Sequence, residues 1–303
     1  MIREITDEFK KIRVWKYLLS LSVVLLLGNI IISILFNDDG LSSKEALLKE
    51  KESYEEIIRE LPNEEDSYGI KEGCKEQIAL IDYNVEHESF YYQRLSVVSN
   101  LAKNKNLINI LLIFLILLSG ACVSVEDDND TWKNLIVLKK GKRKDIYINK
   151  KLAYFYYIGI VTGIFLIVAL GFGLFRYGGV ENIKLIYKDG AVKKGTYTGD
   201  IIDLLVAIVV KAIVYGGITF YLVLRHGKVI GTVIPTLMLL AEGMIETFLK
   251  GYSIGKFLPF RQMYILENIT GQRTGEILVA LIYLAIIMVL IDFAAYVRMK
   301  KIC

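Results

Sequence analysis

The stretch that decides the fold, residues 125–151, reads VEDDNDTWKNLIVLKKGKRKDIYINKK. It is polar and mostly basic, and it stands between two apolar runs, one ending at Val125 and the next beginning at Ala153. Each run is close to the roughly 20 helical residues that cross a hydrocarbon core. The segment between them, residues 126–152, is therefore predicted to be a loop at one membrane face. We call it the island.

The composition is that of a membrane protein. Apolar residues make up 54% of the 303 residues, above the roughly 45–50% of a soluble domain, and the mean hydropathy is +0.43. The apolar residues are gathered into membrane-length runs. The sequence predicts an all-α membrane protein with six transmembrane helices, at residues 17–36, 107–125, 153–175, 204–224, 229–248 and 277–297.

Lysine and arginine predict the orientation. They are dense in the N-terminal segment, the island, the turn at 225–228 and the C-terminal end at 298–301. Because basic loops remain on the cytoplasmic side, both termini are predicted to be cytoplasmic, in a plasma membrane that we expect to be bacterial. The first run ends ILFNDDG, without a small-residue cleavage site, which favours an uncleaved anchor over a signal peptide.

Three regions follow from this plan. Residues 1–36 are an N-terminal amphipathic segment and the first span, residues 37–106 are an acidic extracellular helical hairpin, and residues 107–303 are the remaining five spans. Apolar residues recur at heptad-like steps in the hairpin, and its second arm is predicted to run on into the second span. The hairpin is either a solvated spacer or a cap over a transport path. A small β-hairpin is predicted near residues 183–197.

Three ionisable residues fall inside predicted spans: Lys211 in the fourth, and Glu242 and Glu246 in the fifth. Such groups are costly in a membrane unless they are paired or face a polar cavity. The tight turn at 225–228 makes the two spans antiparallel neighbours, so Lys211 and Glu242 can pair. Two interpretations remain open, an ion pair that locks the helices and a polar lining of an export path or gate.

Other intramembrane features are predicted from single residues. Glu246 lies one helical turn further out than Glu242 on the same face. Asp292, near the inner end of the sixth span, is expected to pair with Arg298 or with water. Adjacent glycines at 216 and 217 predict a close contact between helices.

The common catalytic signatures are missing. The sequence contains no phosphate-binding loop of the G-x-x-x-x-G-K-[ST] type, no H-E-x-x-H and no G-x-S-x-G. Cys74, Cys122 and Cys303 have no metal-ligand spacing, and they are assigned to a polar loop, an apolar run and the C-terminal end. We therefore expect no catalytic residue, no metal site and no cofactor in this chain. An intramembrane enzyme using Glu242 and Glu246 remains a rival hypothesis.

In a six-span context the island resembles the cytoplasmic loop of the ABC type-2 permease family, the membrane subunits of ABC exporters. Glu126 matches the acidic residue after the second span, Thr131 the threonine and Leu135 the leucine. The match then continues through Gly141, Arg143 and the final lysine, Lys150 or Lys151. Asp130 stands where the family usually has glycine, and the frequent proline is missing.

The resemblance implies that two permeases, either two copies or a copy and a paralogue, dock two separate ATPase subunits that carry ATP and Mg. A short coupling helix in the island would enter a cleft of the ATPase. Trp132 and Leu135 would supply apolar contact, and Lys133, Lys139 and Arg143 would set the position electrostatically. Without the resemblance, the same basic residues would be a patch held on anionic lipid. Residues 249–275 would form a re-entrant segment.

The expected function is that of a permease subunit of an ATP-driven exporter for a peptide, bacteriocin or antimicrobial. The chain itself would not be an enzyme, and we expect no nucleic-acid partner. The alternative is a non-transporting membrane sensor or immunity protein whose acidic outer hairpin binds a cationic peptide.

Overall fold

The structure is a computed structural model that describes residues 10, 12–35, 44–60, 70–87, 96–103, 105–128, 143–179, 182–188, 190–249, 259–267 and 274–301. The chain divides into two compact units. The first, which we call the core unit, comprises residues 1–27, 104–168 and 200–303. The second, the hairpin unit, comprises residues 28–103 and 169–199.

Helices account for nearly all of the described chain. In order they are α1 (Val14–Leu35), α2 (Lys44–Glu60), α3 (Ile70–Glu86), α4 (Val97–Lys103), α5 (Lys105–Asp128), α6 (Arg143–Tyr177), α7 (Thr198–His226), α8 (Lys228–Leu249), α9 (Pro259–Glu267) and α10 (Thr274–Lys301). Two strands, β1 (Lys184–Lys188) and β2 (Ala191–Gly195), lie between α6 and α7.

Among the described residues, six helices, α1, α5, α6, α7, α8 and α10, are long and apolar enough to cross a membrane. They correspond to the six predicted spans and indicate a multi-pass, largely helical membrane protein. One prediction was wrong at its edge: the island is not a loop throughout. Residues 143–152 are the first turns of α6, which has 35 residues and is about 52 Å long. Since a hydrocarbon core is about 30 Å thick, α6 extends well beyond it.

Within the core unit, α5 and α7 are central and α8 and α10 are peripheral. In the candidate spans, 67% of the α5 residues and 56% of the α7 residues are buried, against 22% in α8 and 11% in α10. The exposed side chains of α8 and α10 are largely aliphatic, as expected of surfaces that face lipid. α5 packs against α8, and α9 packs against α10.

The predicted tight turn between the fourth and fifth spans is a single residue. α7 ends at His226, α8 begins at Lys228, and Gly227 between them has φ +83°. The Gly227 N–H donates to the Val223 carbonyl at 2.9 Å and closes the end of α7. A left-handed residue after a helix is usually glycine, because a Cβ there is strained.

In the hairpin unit, α2 and α3 pack against each other, as a helical hairpin in residues 37–106 would require. Leu47 and Ile81 are buried at the seam, and Lys51 pairs with Asp82 at 2.6 Å. Cys74, which the sequence placed in a polar loop, is instead buried in α3. The loop assignment was wrong because that position lies on the apolar face of an amphipathic helix.

The sequence predicts that the second arm of the hairpin runs on into the second span, but α3 does not continue into that span. α3 ends at Glu86, and the separate helix α4 precedes α5. Ser96 and Ser99 cap the start of α4 reciprocally, with N to Oγ distances of 2.7 and 3.1 Å. The Val97 N–H donates to the Gly179 carbonyl at 2.8 Å. These bonds fix the start of α4.

β1 and β2 form the predicted antiparallel hairpin, with Leu185 opposite Lys194 and Tyr187 opposite Val192. α3 packs on both strands. In the region 249–275, the described part is α9, and the predicted re-entrant geometry stays a prediction. Most of the N-terminal amphipathic segment lies outside the described residues, and Arg13, with φ +52°, precedes α1.

Candidate functional site

The middle of the island lies outside the described residues, and Thr131, Trp132, Lys133, Leu135 and Lys139 lie within it. Glu126 is in the last turn of α5 and Arg143 is the first residue of α6, and the side chains of both are outside the description. The contacts of these predicted coupling residues therefore stay predictions. What the structure describes is the helical end of the island and the helices around it.

Four side chains on the first turns of α6 contact three other helices of the core unit. They are Tyr147, Lys150, Lys151 and Tyr154, and we call them the α6 clamp. Their spacing of three, four and seven residues places them on one helix face. Each makes a polar contact with α5, α7 or α10.

Lys150 fastens α6 to α5. Its side chain is only 1% exposed, and its Nζ donates to the Cys122 carbonyl at 2.6 Å. Burying an ammonium costs several kcal/mol unless it finds hydrogen-bond acceptors. The Cys122 carbonyl supplies such an acceptor from α5.

Lys151 and Tyr147 fasten α6 to α10. The Lys151 ammonium forms an ion pair with Asp292. The Tyr147 hydroxyl lies 3.4 Å from both the backbone carbonyl and Oδ1 of the same residue. The sequence analysis named Arg298 or water as the partner of Asp292, and the prediction of Arg298 was wrong. Arg298 instead donates from Nε to the Leu224 carbonyl at 3.3 Å, and so joins α10 to α7.

Tyr154 fastens α6 to α7. Its hydroxyl is buried and donates to the Ala212 carbonyl at 2.7 Å. Its ring lies over Gly216, where a Cβ would overlap the phenol. From α5, the Ser119 hydroxyl donates to the Gly216 carbonyl at 2.8 Å. The close helix contact that the sequence predicted at Gly216 is confirmed.

The predicted intramembrane pair is formed. Lys211 Nζ lies 3.1 Å from Oε2 of Glu242, and each side chain is 11% exposed. The Tyr215 hydroxyl donates to the same oxygen at 3.2 Å. Lys211 and Tyr215 are one turn apart on α7, so both reach Glu242 on α8 from one face. The side chain of Glu246 is outside the description.

The geometry provides a charged, hydrogen-bonded contact inside the core unit. No group of three or more His, Cys, Asp or Glu side chains that could hold a metal ion occurs among the described residues. Lys211 and Glu242 instead hold two helices at a fixed rotation and distance. Their charges also make this contact more sensitive to displacement than an apolar one, because the cost of an unpaired buried charge is large.

Sequence reasoning missed Tyr147, Tyr154 and Tyr215 as contacts between helices. It named Lys150 only as an alternative to Lys151 for the last lysine of the motif. Tyrosine is common in apolar runs, so its hydroxyl carries no signal until its neighbour is known. The spacing of the clamp residues along α6 was the available signal. It was hidden because residues 143–152 were interpreted as loop.

Comparisons with curated proteins and with solved structures found no match. The model of the family DUF2705, described as a protein of unknown function, matches residues 77–302. The match begins in α3 and includes both the α6 clamp and the Lys211–Glu242 pair. It covers more than half of the 303 residues, and the chain therefore belongs to the DUF2705 family.

Proposed function

We propose that this chain is the permease subunit of an ATP-driven exporter of the ABC type-2 kind. The observation that carries the proposal is the island, which has Glu126, Thr131 and Arg143 at the positions of the permease motif. It stands between the second and third of six candidate spans. In the family that it resembles, this segment receives the movement of the ATPase.

The contacts at the end of the island support such a role mechanically. The last part of the island, residues 143–152, forms the first turns of α6. The α6 clamp then connects that helix to α5, α7 and α10. A displacement of the island would therefore reach three further spans.

Each partner in the proposal has its own place. Two ATPase subunits bind ATP and Mg, and this chain carries no catalytic group of its own. Trp132 and Leu135 make apolar contact with the ATPase, and Lys133, Lys139 and Arg143 add electrostatic positioning. A second permease copy or a paralogue completes the path. Glu126 and Thr131 belong to the same coupling segment.

The orientation belongs to the proposal as well. Both termini and the island lie in the cytoplasm, where basic loops are retained, and the α2–α3 hairpin lies outside a bacterial plasma membrane. Lys211, Glu242 and Glu246 provide the polar groups along the path. We propose a peptide, a bacteriocin or another antimicrobial amphiphile as cargo.

Affinity purification from native membranes, followed by mass spectrometry, tests the proposal. We expect an ABC ATPase to co-purify with the tagged chain, and its ATP hydrolysis to rise when the chain is present. If the native complex contains no such ATPase, the permease function is wrong.

Two substitutions test the coupling role. Trp132→Ala and Arg143→Glu should lower stimulation of the partner's ATP hydrolysis by about tenfold, since a contact residue that costs about 1.4 kcal/mol changes binding tenfold. The matched control is Arg176→Glu, which makes the same charge change in the last turn of α6 and should leave stimulation unchanged. If Arg143→Glu and Arg176→Glu behave alike, the island is not the coupling segment.

A second candidate function is favoured by the surface of α2. Four of its carboxylates are exposed, at Glu45, Glu52, Glu56 and Glu60, and an acidic helix outside the membrane suits a sensor or immunity protein that binds a cationic peptide. Binding of polylysine to the purified chain in nanodiscs tests whether α2 binds a cationic peptide. Loss of binding in the fourfold Glu→Gln variant, without any co-purifying ATPase, would favour the sensor.

A further inference from the structure

We propose that Tyr154 is a positioning residue for the Lys211–Glu242 pair. Its contact fixes the rotation of α7 at the turn that holds Glu242, so the island end of α6 and the intramembrane pair respond to force together. The inference rests on the proposed function only for the source of that force. The contact itself is a property of the core unit.

The first step is the contact between α6 and α7. The Tyr154 ring occupies the space left by the missing side chain of Gly216, and its hydroxyl bonds to the Ala212 carbonyl. The phenol is therefore held at both ends of one turn of α7. Ser119 Oγ, on the Gly216 carbonyl, holds the same turn from α5.

The second step is that the same turn of α7 also carries the two side chains that contact Glu242, Lys211 and Tyr215. Ala212 and Gly216 directly follow Lys211 and Tyr215 in the chain. Successive residues on a helix are rotated by about 100° because a turn has 3.6 residues. One face of the turn thus receives Tyr154, and the adjacent face supplies both donors to Oε2 of Glu242.

The third step concerns the size of movement that matters. A helix with side chains has a radius of about 5–6 Å, so a rotation of about 20° moves a side-chain end by roughly 2 Å. That displacement is enough to break a contact of 3.1 Å between Lys211 and Glu242. A residue that fixes the rotation of α7 therefore decides whether the pair forms.

The fourth step connects the turn to the island. Tyr154 lies one helical turn beyond Lys150 and Lys151, on the same face of α6. Lys150 holds α5 and Lys151 holds Asp292 of α10. The first turns of α6 therefore cannot shift without moving the Tyr154 phenol that lies over Gly216.

The experiment measures the coupling between Lys211 and Glu242 in three backgrounds: the parent chain, Tyr154→Phe and Tyr156→Phe. The full chain in lipid nanodiscs, with Cys74 and Cys303 replaced by alanine, is heated in the presence of a thiol-reactive dye. Exposure of the buried Cys122 reports the Tm. The coupling is the Tm of the Lys211→Met/Glu242→Gln double variant minus the value that the two single shifts predict by addition.

In the parent chain we expect a coupling of about 4 °C or more, since interacting buried residues are strongly non-additive and Tm is sensitive to such terms in a unit of this size. Tyr154→Phe keeps the ring and removes the hydroxyl, and it should reduce the coupling by at least half. Tyr156 is 48% exposed on another face of α6, so Tyr156→Phe should leave the coupling unchanged.

The result separates positioning from simple stabilisation. A merely structural Tyr154 would lower the Tm of every variant equally and leave the coupling as it is in the parent, and that outcome would overturn the inference. If Lys211→Met does not yield folded protein, Lys211→Gln removes the charge, keeps a polar side chain and allows the same comparison. Because no ATPase is used, the outcome is independent of whether the permease function holds.

Discussion

Replacing Lys211 by methionine is the sharpest perturbation of the core unit. Methionine keeps most of the side-chain volume and removes the charge, and Glu242 then keeps the hydrogen bond from Tyr215. At the observed 3.1 Å, the gross attraction of two unit charges is about 5 kcal/mol at an effective dielectric constant of 20. Breaking one partner of a buried pair costs about 3–5 kcal/mol.

The remaining Tyr215 bond favours the lower end of that range, about 3 kcal/mol. For units of roughly 150–250 residues, each kcal/mol lowers the Tm by about 2–4 °C. We therefore expect Lys211→Met to lower the Tm by about 6–12 °C. The assay is thermal unfolding in nanodiscs, followed through the thiol of the buried Cys122.

The direction in which the Tm changes when Glu242 is replaced as well is more diagnostic than the size of the Tm loss in Lys211→Met alone. Removing both charges, in Lys211→Met/Glu242→Met, should recover a large part of the lost Tm, because replacing a whole buried pair by apolar groups is often neutral. Lys144→Met, at an exposed lysine of α6, is the control and should change the Tm by less than about 2 °C. A double variant that melts no higher than Lys211→Met would refute the reasoning.

Two further comparisons use neighbouring or matched residues. Lys150→Met should lower the free energy of unfolding by about 1.5–3 kcal/mol because it removes a buried hydrogen bond from a charged group. Lys151→Met breaks a partly exposed pair and should lower it by less than about 1 kcal/mol. Equal losses in denaturant or thermal unfolding would contradict the burial of Lys150. Gly227→Ala should destabilise by about 1–2 kcal/mol because a Cβ is strained at φ +83°, whereas Gly243→Ala, with free space around its Cβ position, should be neutral or stabilising in the same assay.

The predicted spans did not depend on tertiary contacts, because the length and hydropathy of each run are local properties of the chain. That is why the six runs found by sequence correspond to α1, α5, α6, α7, α8 and α10. The one-residue turn at Gly227 was also local, since so short a link allows only an antiparallel arrangement. With that turn, the positions of Lys211 and Glu242 in two antiparallel neighbouring spans were enough to predict that they can pair, as they do.

Helix ends were less predictable where polar residues are stabilised by distant partners. Residues 143–152 contain four basic side chains and were interpreted as loop, yet they are helical in α6. Lys150 is tolerated there because its ammonium donates a hydrogen bond to the Cys122 carbonyl, and Lys151 because it forms an ion pair with Asp292. Those partners lie far away in the chain, so periodicity alone carried no information about them.

Sequence by itself determined the membrane class, the number of spans and the position of the island between the second and third of them. Tertiary structure decided which polar groups act together: Asp292 with Lys151, and Tyr154 with the turn of α7 that holds Glu242. The physical reason is one of range. Transfer into a membrane depends on the composition of a continuous segment, whereas a buried hydrogen bond depends on a donor and an acceptor brought within about 3 Å from different helices.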